Sequence, residues 1–543
     1  METMKKCLAI FLVLIFVLST GGIPAALAAE NTVAPIVYVY GYQGVYVFNE
    51  DGSYYTPIDA NKAPPETDDG DIVSAAIPKL IPLFAQGLIT DNYDAYCDKA
   101  LELLMPIYAE VKPNPDGTVP DNTGPLWTWS YDTLEENPDE NTIYGFSWDT
   151  RLSPLAAADR LDEYIKAIQQ KTGCRQVTLV SRCAGTEAVA AYLWKYQQAV
   201  DYADVKKCIF IANTLDGYDF FEVLLSGNIT GATEALYRYV KQKEILENHI
   251  DSQGLLKLVN AMFSYLESSY GLDVAMEKAV HIYAKIKDRL IAPLLKEFYA
   301  ISLGEVGTIN RHYEEYKDYI FCEEGDREKY AAIIAKADEY HYNVQVNIRD
   351  MLQEMNDAGA TVYFIGGYGE QQYPLGDFAN YIGDEYSDLA STTFGATIAK
   401  VAEKLPADYL AAQEAAGLGA CISPDRQVDV STCMFPEQTW IVKNLRHTFG
   451  GDDLTEMIRA IARTDNATVT TVEGYPQFLN ANKDHSAMEP AKAVNDNDVN
   501  WKALSPKLSL FGSIFAKLSS FFKKIILQFK SIFQFITAGF SAR

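Results

Sequence analysis

Val177-Thr178-Leu179-Val180-Ser181-Arg182-Cys183-Ala184-Gly185-Thr186-Glu187-Ala188-Val189-Ala190-Ala191-Tyr192-Leu193 is the stretch whose reading decides the fold. Four strand-forming residues, Val177 to Val180, run into the corner Ser181-Arg182-Cys183-Ala184-Gly185, and a helix-forming run from Thr186 follows. Strand, sharp turn and helix are the setting of the nucleophile elbow G-x-S-x-G, in which a strained turn exposes a reactive side chain above a sheet. Here Cys183 stands in the serine position and Ser181 in that of the first glycine, while Thr186 replaces a further glycine common at the helix start. Cys183 reads either as a nucleophile or as a buried structural cysteine in an elbow that has lost its chemistry.

Upstream, Ile36-Val37-Tyr38-Val39-Tyr40-Gly41-Tyr42-Gln43-Gly44 predicts a buried strand ending in a glycine-flanked turn. Asn141 to Trp148 predicts a second strand, Ala156 to Gln170 an amphipathic helix with Leu161, Tyr164, Ile165 and Ile168 on one face, and Gly173 its end. Lys207 to Asn213 continues the pattern. Strands alternating with helices imply a parallel sheet. Between about residues 220 and 359 the periodicity is helical throughout, which predicts a cap inserted into the sheet domain or else an independent helical domain. Thr361 to Gly367 then resumes the sheet, and Thr468 to Val472 is a candidate last strand.

The ends of the chain have a different character. Residues 1–29 carry Lys5 and Lys6, an apolar run from Cys7 to Leu18 and the small-x-small site Ala26-Leu27-Ala28, the layout of a secretory signal peptide. Residues 481–505 read as a polar linker. From Leu508 onward apolar residues recur in steps of three or four through Phe511, Phe515, Leu518, Phe522, Ile525, Phe529, Ile532 and Ile536, with lysines as the charges between them. Residues 506–543 therefore predict a cationic amphipathic helix suited to an anionic membrane surface, to the protein's own acidic body or to self-association. The expected layout is a signal peptide over 1–29, a sheet domain over 30–480 with its helical insert, a linker, and this helix. Export to the outside, at a membrane or cell surface, is the localisation it implies.

The formal net charge is −27, and the body between residues 30 and 500 carries about −35 because both ends are basic. Such a surface excludes nucleic acid as a partner, since phosphate binding needs a basic footprint. The acidic run Glu66-Thr67-Asp68-Asp69-Gly70-Asp71 lacks the spacing of a calcium loop. Seven cysteines follow the signal segment, an odd number that leaves at least one outside any intrachain pair. Cys421 and Cys433 are spaced to close a short loop.

Together these motifs resemble the α/β-hydrolase superfamily, and within it the lecithin:cholesterol acyltransferase-like, lipase-like branch. The oxyanion strand at Ile36 to Gly44, the aromatic stretch Phe146-Ser147-Trp148-Asp149-Thr150-Arg151-Leu152-Ser153-Pro154, the elbow, and Asp425-Arg426-Gln427-Val428 followed by His447 occur in the family's order across roughly Ala34 to Leu479. The resemblance implies an α/β-hydrolase fold and acyl transfer on a lipid or other ester. Chain order in that fold is nucleophile, acid, histidine, which Cys183, Asp425 and His447 satisfy; Asp429 on the same loop is the alternative acid. Backbone N–H groups of Tyr42 and Ala184 would form the oxyanion hole. A thiol beside a histidine ionises more readily than a serine hydroxyl, so cysteine is chemically workable there. Such a triad uses no metal and no cofactor. The alternative is a decayed scaffold that serves as a membrane-associated binding protein.

Overall fold

The computed structural model describes residues 33–493 apart from 43, 56–71, 127–133, 135–141, 233–234, 236–276, 279, 298–302, 449–450 and 483–486. The expected signal peptide and the cationic helix over 506–543 lie outside the described residues.

Eight strands build the central sheet: β1 (Ile36–Val39), β2 (Ile143–Phe146), β3 (Val177–Arg182), β4 (Val205–Ile211), β5 (Thr361–Tyr368), β6 (Thr439–Lys443), β7 (Phe478–Ala481) and β8 (Met488–Pro490). Their spatial order is β8-β7-β6-β5-β4-β3-β1-β2. Every neighbouring pair is parallel except β7 with β8. All six residues of β3 are buried, as expected of a strand covered on both faces. The chain places β2 on one side of β1, returns to the other side with β3, and then moves steadily outward to β8. This reversal opens a crevice beyond the carboxyl ends of β1 and β3, the place where open α/β sheets hold ligands. The elbow and the Gly41 turn are the two loops that leave those strand ends.

The crossover helix before the elbow runs Pro154–Thr172 and follows the expected pattern closely. The Ser153 hydroxyl accepts the Leu155 N–H at 3.2 Å, proline occupies the first helical position, and Gly173 closes the end at φ 73°. Leu161, Ile165 and Ile168 pack with Val189 and Leu193, from the helix behind the elbow, in one buried cluster. The Asp149–Arg151 stretch has a structural task. The Arg151 guanidinium is buried, pairs with Asp149, and donates to Val111 O at 2.8 Å and Thr123 Oγ1 at 2.9 Å. Removing either partner of such a buried pair leaves an uncompensated charge.

Between β4 and β5 the described residues hold helices and no strand, in agreement with the helical insert. The insert shares a hydrophobic core with an earlier excursion. Phe220, Phe221, Leu290, Leu295 and Ile320 cluster with Val45, Leu80, Phe84, Tyr96 and Val111. Helical periodicity marks each piece, yet nothing in sequence pairs two segments more than a hundred residues apart. At the far edge of the sheet the structure corrects two expectations. Thr468 to Val472 forms turns, and the last strands are β7 and β8. β8 falls in the stretch expected to be linker, where it pairs with β7 and caps the sheet with a short antiparallel edge.

Candidate active site

At the end of β3 the backbone turns sharply and Cys183 adopts φ 51°, the left-handed region costly for a residue with a Cβ. Close backbone approach keeps it there. A Cβ on Gly185 would lie 2.4 Å from Val39 O and 2.8 Å from Tyr40 O, so only glycine fits. A Cβ on Gly41 would meet Arg182 O and Cys183 Cβ, each at 2.9 Å. The two turns therefore touch backbone to backbone, which puts the Gly41-Tyr42 peptide beside the start of the helix Gly185–Tyr192. Thr186, a departure from the elbow pattern, is accommodated. Its Oγ1 donates to Cys183 O at 2.7 Å and lies 2.9 Å from Thr214 Oγ1. Thr214 Oγ1 also hydrogen-bonds Glu187, whose side chain is fully buried in the first helical turn.

His447 follows β6 on the loop beyond its carboxyl end, and its side chain is 0% exposed. Imidazole Nδ1 lies 2.8 Å from Oδ2 of Asp384, which is equally buried, and His447 N donates to Asp384 O at 3.0 Å. The ring stacks on Tyr218 at 4.9 Å between centroids and meets the edge of Tyr386 at 5.3 Å. With Nδ1 on a carboxylate, Nδ1 carries the proton and Nε2 becomes the basic nitrogen. Nε2 is buried and has no hydrogen-bond partner among the described residues. From the elbow side, Arg182 Nε donates to His447 O at 2.7 Å and its Nη2 to Arg446 O at 2.7 Å. The residue preceding the cysteine thus grips the backbone that carries the histidine.

The carboxylate on His447 is not the expected Asp425. Asp425 is engaged elsewhere: Oδ2 accepts from Tyr368 OH and Lys443 Nζ, both at 2.7 Å, and Oδ1 from Ser423 Oγ at 2.7 Å. Burial would raise the Asp425 carboxyl, but Lys443 and these hydroxyls outweigh it and hold the group below the usual carboxylate range. Asp429, the alternative, accepts Tyr409 OH at 2.8 Å and Ser431 N at 2.8 Å. Both aspartates fasten their own loop, whereas the carboxylate on the imidazole comes from the loop after β5. In the chain Asp384, like Asp425, lies between Cys183 and His447.

Asp384 sits in a tight turn. Its Oδ1 accepts Tyr386 N at 3.3 Å and Ser387 N at 3.1 Å, and its own N–H reaches Ser387 O at 3.1 Å. Glu385, at φ 95°, is pushed up to about 8 by burial, helped by Glu370 and Asp384 and opposed by Arg446 and Arg182. Burial, aided by the Asp219 charge, likewise lifts Asp388 to about 7. Perturbed carboxyls of this kind concentrate at functional sites. In the sequence, Gly383-Asp384-Glu385-Tyr386-Ser387-Asp388 offered one usable signal, a turn-forming acidic run placed after the strand that resumes the sheet.

The charged character of the helical insert predicts surface positions for His249, His281, His312 and His341; His281 is exposed and His312 half-buried, while His249, like His485 of the expected linker, falls outside the described residues. His341 is a correction. It is buried, stacked on Tyr313 at 3.9 Å and bonded to Gln345 at 2.8 Å, because the insert closes its own core over it. Cys421 and Cys433 are not bridged to each other.

No family model matches the chain, and neither does any curated protein. Among solved structures, a chain of the Tle4–Tli4 complex is similar at 12% identity, with 62% of this chain and 75% of that chain covered and a TM-score of 0.23. The α/β assignment rests on the strand order and the parallel pairing described above.

Proposed function

We propose that the protein is an acyl hydrolase or O-acyltransferase acting on a lipid or other ester through Cys183, His447 and Asp384. The observation that carries this reading is the buried His447–Asp384 pair, in which His447 Nε2 has no hydrogen-bond partner among the described residues and the His447 backbone is held by the residue next to Cys183. A buried polar atom left unmatched in the resting state costs stability and points to a partner supplied during function.

In the proposed cycle His447 Nε2 takes the proton from Cys183 Sγ, and Asp384 holds the imidazole in the required tautomer and stabilises the imidazolium that forms. The thiolate attacks the ester carbonyl. Negative charge on the carbonyl oxygen is met by the N–H groups of Tyr42 and Ala184, each worth roughly 3–4 kcal/mol where such donors have been removed. Collapse of the tetrahedral adduct passes the His447 proton to the leaving alkoxide and leaves a thioester on Cys183. Water or an acceptor hydroxyl then gives its proton to Nε2, attacks the thioester and restores the thiol. Export by residues 1–29 and seating on an anionic membrane by residues 506–543 belong to the same proposal and rest on the sequence alone. Among the described residues no helix is long and apolar enough to cross a membrane.

The test is hydrolysis of a p-nitrophenyl ester together with alkylation by iodoacetamide. Cys183→Ala and His447→Ala should each abolish turnover while the thermal melt remains cooperative. Turnover retained by Cys183→Ala, or a folded protein in which Cys183 resists alkylation at every pH, would return the chain to the binding-scaffold reading.

A further inference from the structure

Arg182 occupies a position between nucleophile and base that the catalytic cycle leaves without a role. It ends β3, its side chain is largely buried, and it is adjacent in sequence to Cys183. One face of the guanidinium makes two charge-assisted hydrogen bonds, to His447 O and Arg446 O, each 2.7 Å long. The guanidinium also acts electrostatically on the Tyr38 hydroxyl in β1, against the rise that burial causes there. A single rigid fork therefore joins the elbow to the histidine loop beside the oxyanion strand, three segments that come from distant parts of the chain. Lysine is no equivalent, because a single ammonium cannot present the same planar pair of donors.

The remaining constraints on His447 act from another side. Asp384 fixes Nδ1 and the His447 N–H, and Tyr218 supports one ring face. These contacts set how the ring is turned, but they tie it to the segments that follow β4 and β5 rather than to the elbow itself. Among the described residues, Arg182 supplies the side-chain hydrogen bonds that refer the histidine backbone to Cys183. We propose that Arg182 is a positioning residue that fixes the His447 loop against the elbow and so sets the approach of Nε2 to Cys183 Sγ. This rests on the acyl-transfer reading for its catalytic consequence, but not for its structural one.

Displacing a reacting group by about 1 Å can cost on the order of a hundredfold in rate. Arg182→Met, which keeps the length of the side chain and removes the donors, should lower kcat on a p-nitrophenyl ester by about that factor with KM changed less than about threefold. The pH midpoint of Cys183 alkylation should also move toward that of an ordinary cysteine. A second readout needs no catalysis: the proton on His447 Nδ1, held by the buried Asp384 carboxylate, gives a downfield NMR resonance that should be present in the full-length wild type and absent or shifted in Arg182→Met. Arg182→Lys should fall between the two in both readouts, and it serves as the test if the methionine variant fails to fold. An unchanged resonance and alkylation profile in either folded variant overturns the positioning role. A wild type that shows the resonance but no esterase activity and no Cys183 alkylation overturns the acyl-transfer reading and leaves the positioning role to the NMR result.

Discussion

Replacing Asp384 by Asn separates the proposed acid from the acid suggested by the motif. The carboxylate has two oxygens with different duties. Oδ1 accepts the N–H groups of Tyr386 and Ser387, while Oδ2 lies 2.8 Å from His447 Nδ1. An asparagine there must keep its amide oxygen on the Oδ1 side, since an NH2 facing two backbone donors would leave all of them unpaired. The NH2 then faces Nδ1 and forces that nitrogen to accept. The imidazole proton moves to Nε2, the wrong tautomer for a base that must take a proton from Cys183. The equivalent change in a serine triad lowers kcat about ten-thousandfold, which corresponds to roughly 5 kcal/mol of transition-state stabilisation. A loss of that order is expected in p-nitrophenyl ester turnover for Asp384→Asn, with the fold retained, because the substitution is nearly isosteric. Asp425→Asn is the control. It should keep turnover within about threefold and lose roughly 1–3 kcal/mol of stability through the weakened contacts to Lys443 and Tyr368. With its carboxyl held below the usual range, Asp425 contributes fully above that range, and the contribution is lost as pH falls through the lowered value. The stability gap between wild type and Asp425→Asn should therefore close on acidification in urea titrations. If Asp384→Asn retains turnover within tenfold of wild type while Asp425→Asn abolishes it, the assignment of the acid fails.

Three further outcomes follow from the same geometry. Glu385 keeps its proton in the folded state up to about pH 8, whereas an ordinary glutamate loses it near 4.5. The folded state thus binds the extra proton, and stability falls as pH rises between these values. Glu385→Gln should flatten that fall, by an amount on the order of 2–4 kcal/mol after allowance for partial exposure, as read by urea unfolding at pH 5 and pH 8. Gly185→Ala places a Cβ 2.4 Å from Val39 O; it should cost about 1–3 kcal/mol and displace the elbow from the oxyanion turn, so that turnover drops well beyond what the loss of folded protein explains. Lys207 caps the helix Asp452–Arg463 by donating to Ile461 O at 2.6 Å, Ala462 O at 3.0 Å and Thr464 O at 2.6 Å. Lys207→Met should lower the melting temperature by several degrees through roughly 1–3 kcal/mol of unsatisfied carbonyl groups and leave ester turnover per folded molecule unchanged.

What could be read from the sequence was local. The strand-forming run before Cys183 and the helix after it specify an elbow, and Gly185 is required where two backbones meet. The glycine turn at Gly41 and the histidine beyond β6 are legible because each comes within a few residues of an apolar run, Ile36-Val37-Tyr38-Val39 and Trp440-Ile441-Val442. The acid was not legible. The Asp425-Arg426-Gln427-Val428 run has the look of an acid loop, but Lys443 and Tyr368 converge on its carboxylate only after the sheet has assembled. Asp384 belongs to a six-residue turn whose neighbours in space, His447, Tyr218 and Arg446, arrive from other strands. The shared core of the helical insert and the segment around Leu80 to Val111 likewise depends on contacts between distant stretches. The sequence by itself determined the alternation of strands and helices, the elbow, the nucleophile candidate and the histidine, because periodicity and turn chemistry act within a few residues. Tertiary structure alone decided which carboxylate serves that histidine, since a buried charge takes the partner that packing brings within 3 Å, and sequence spacing does not encode that distance.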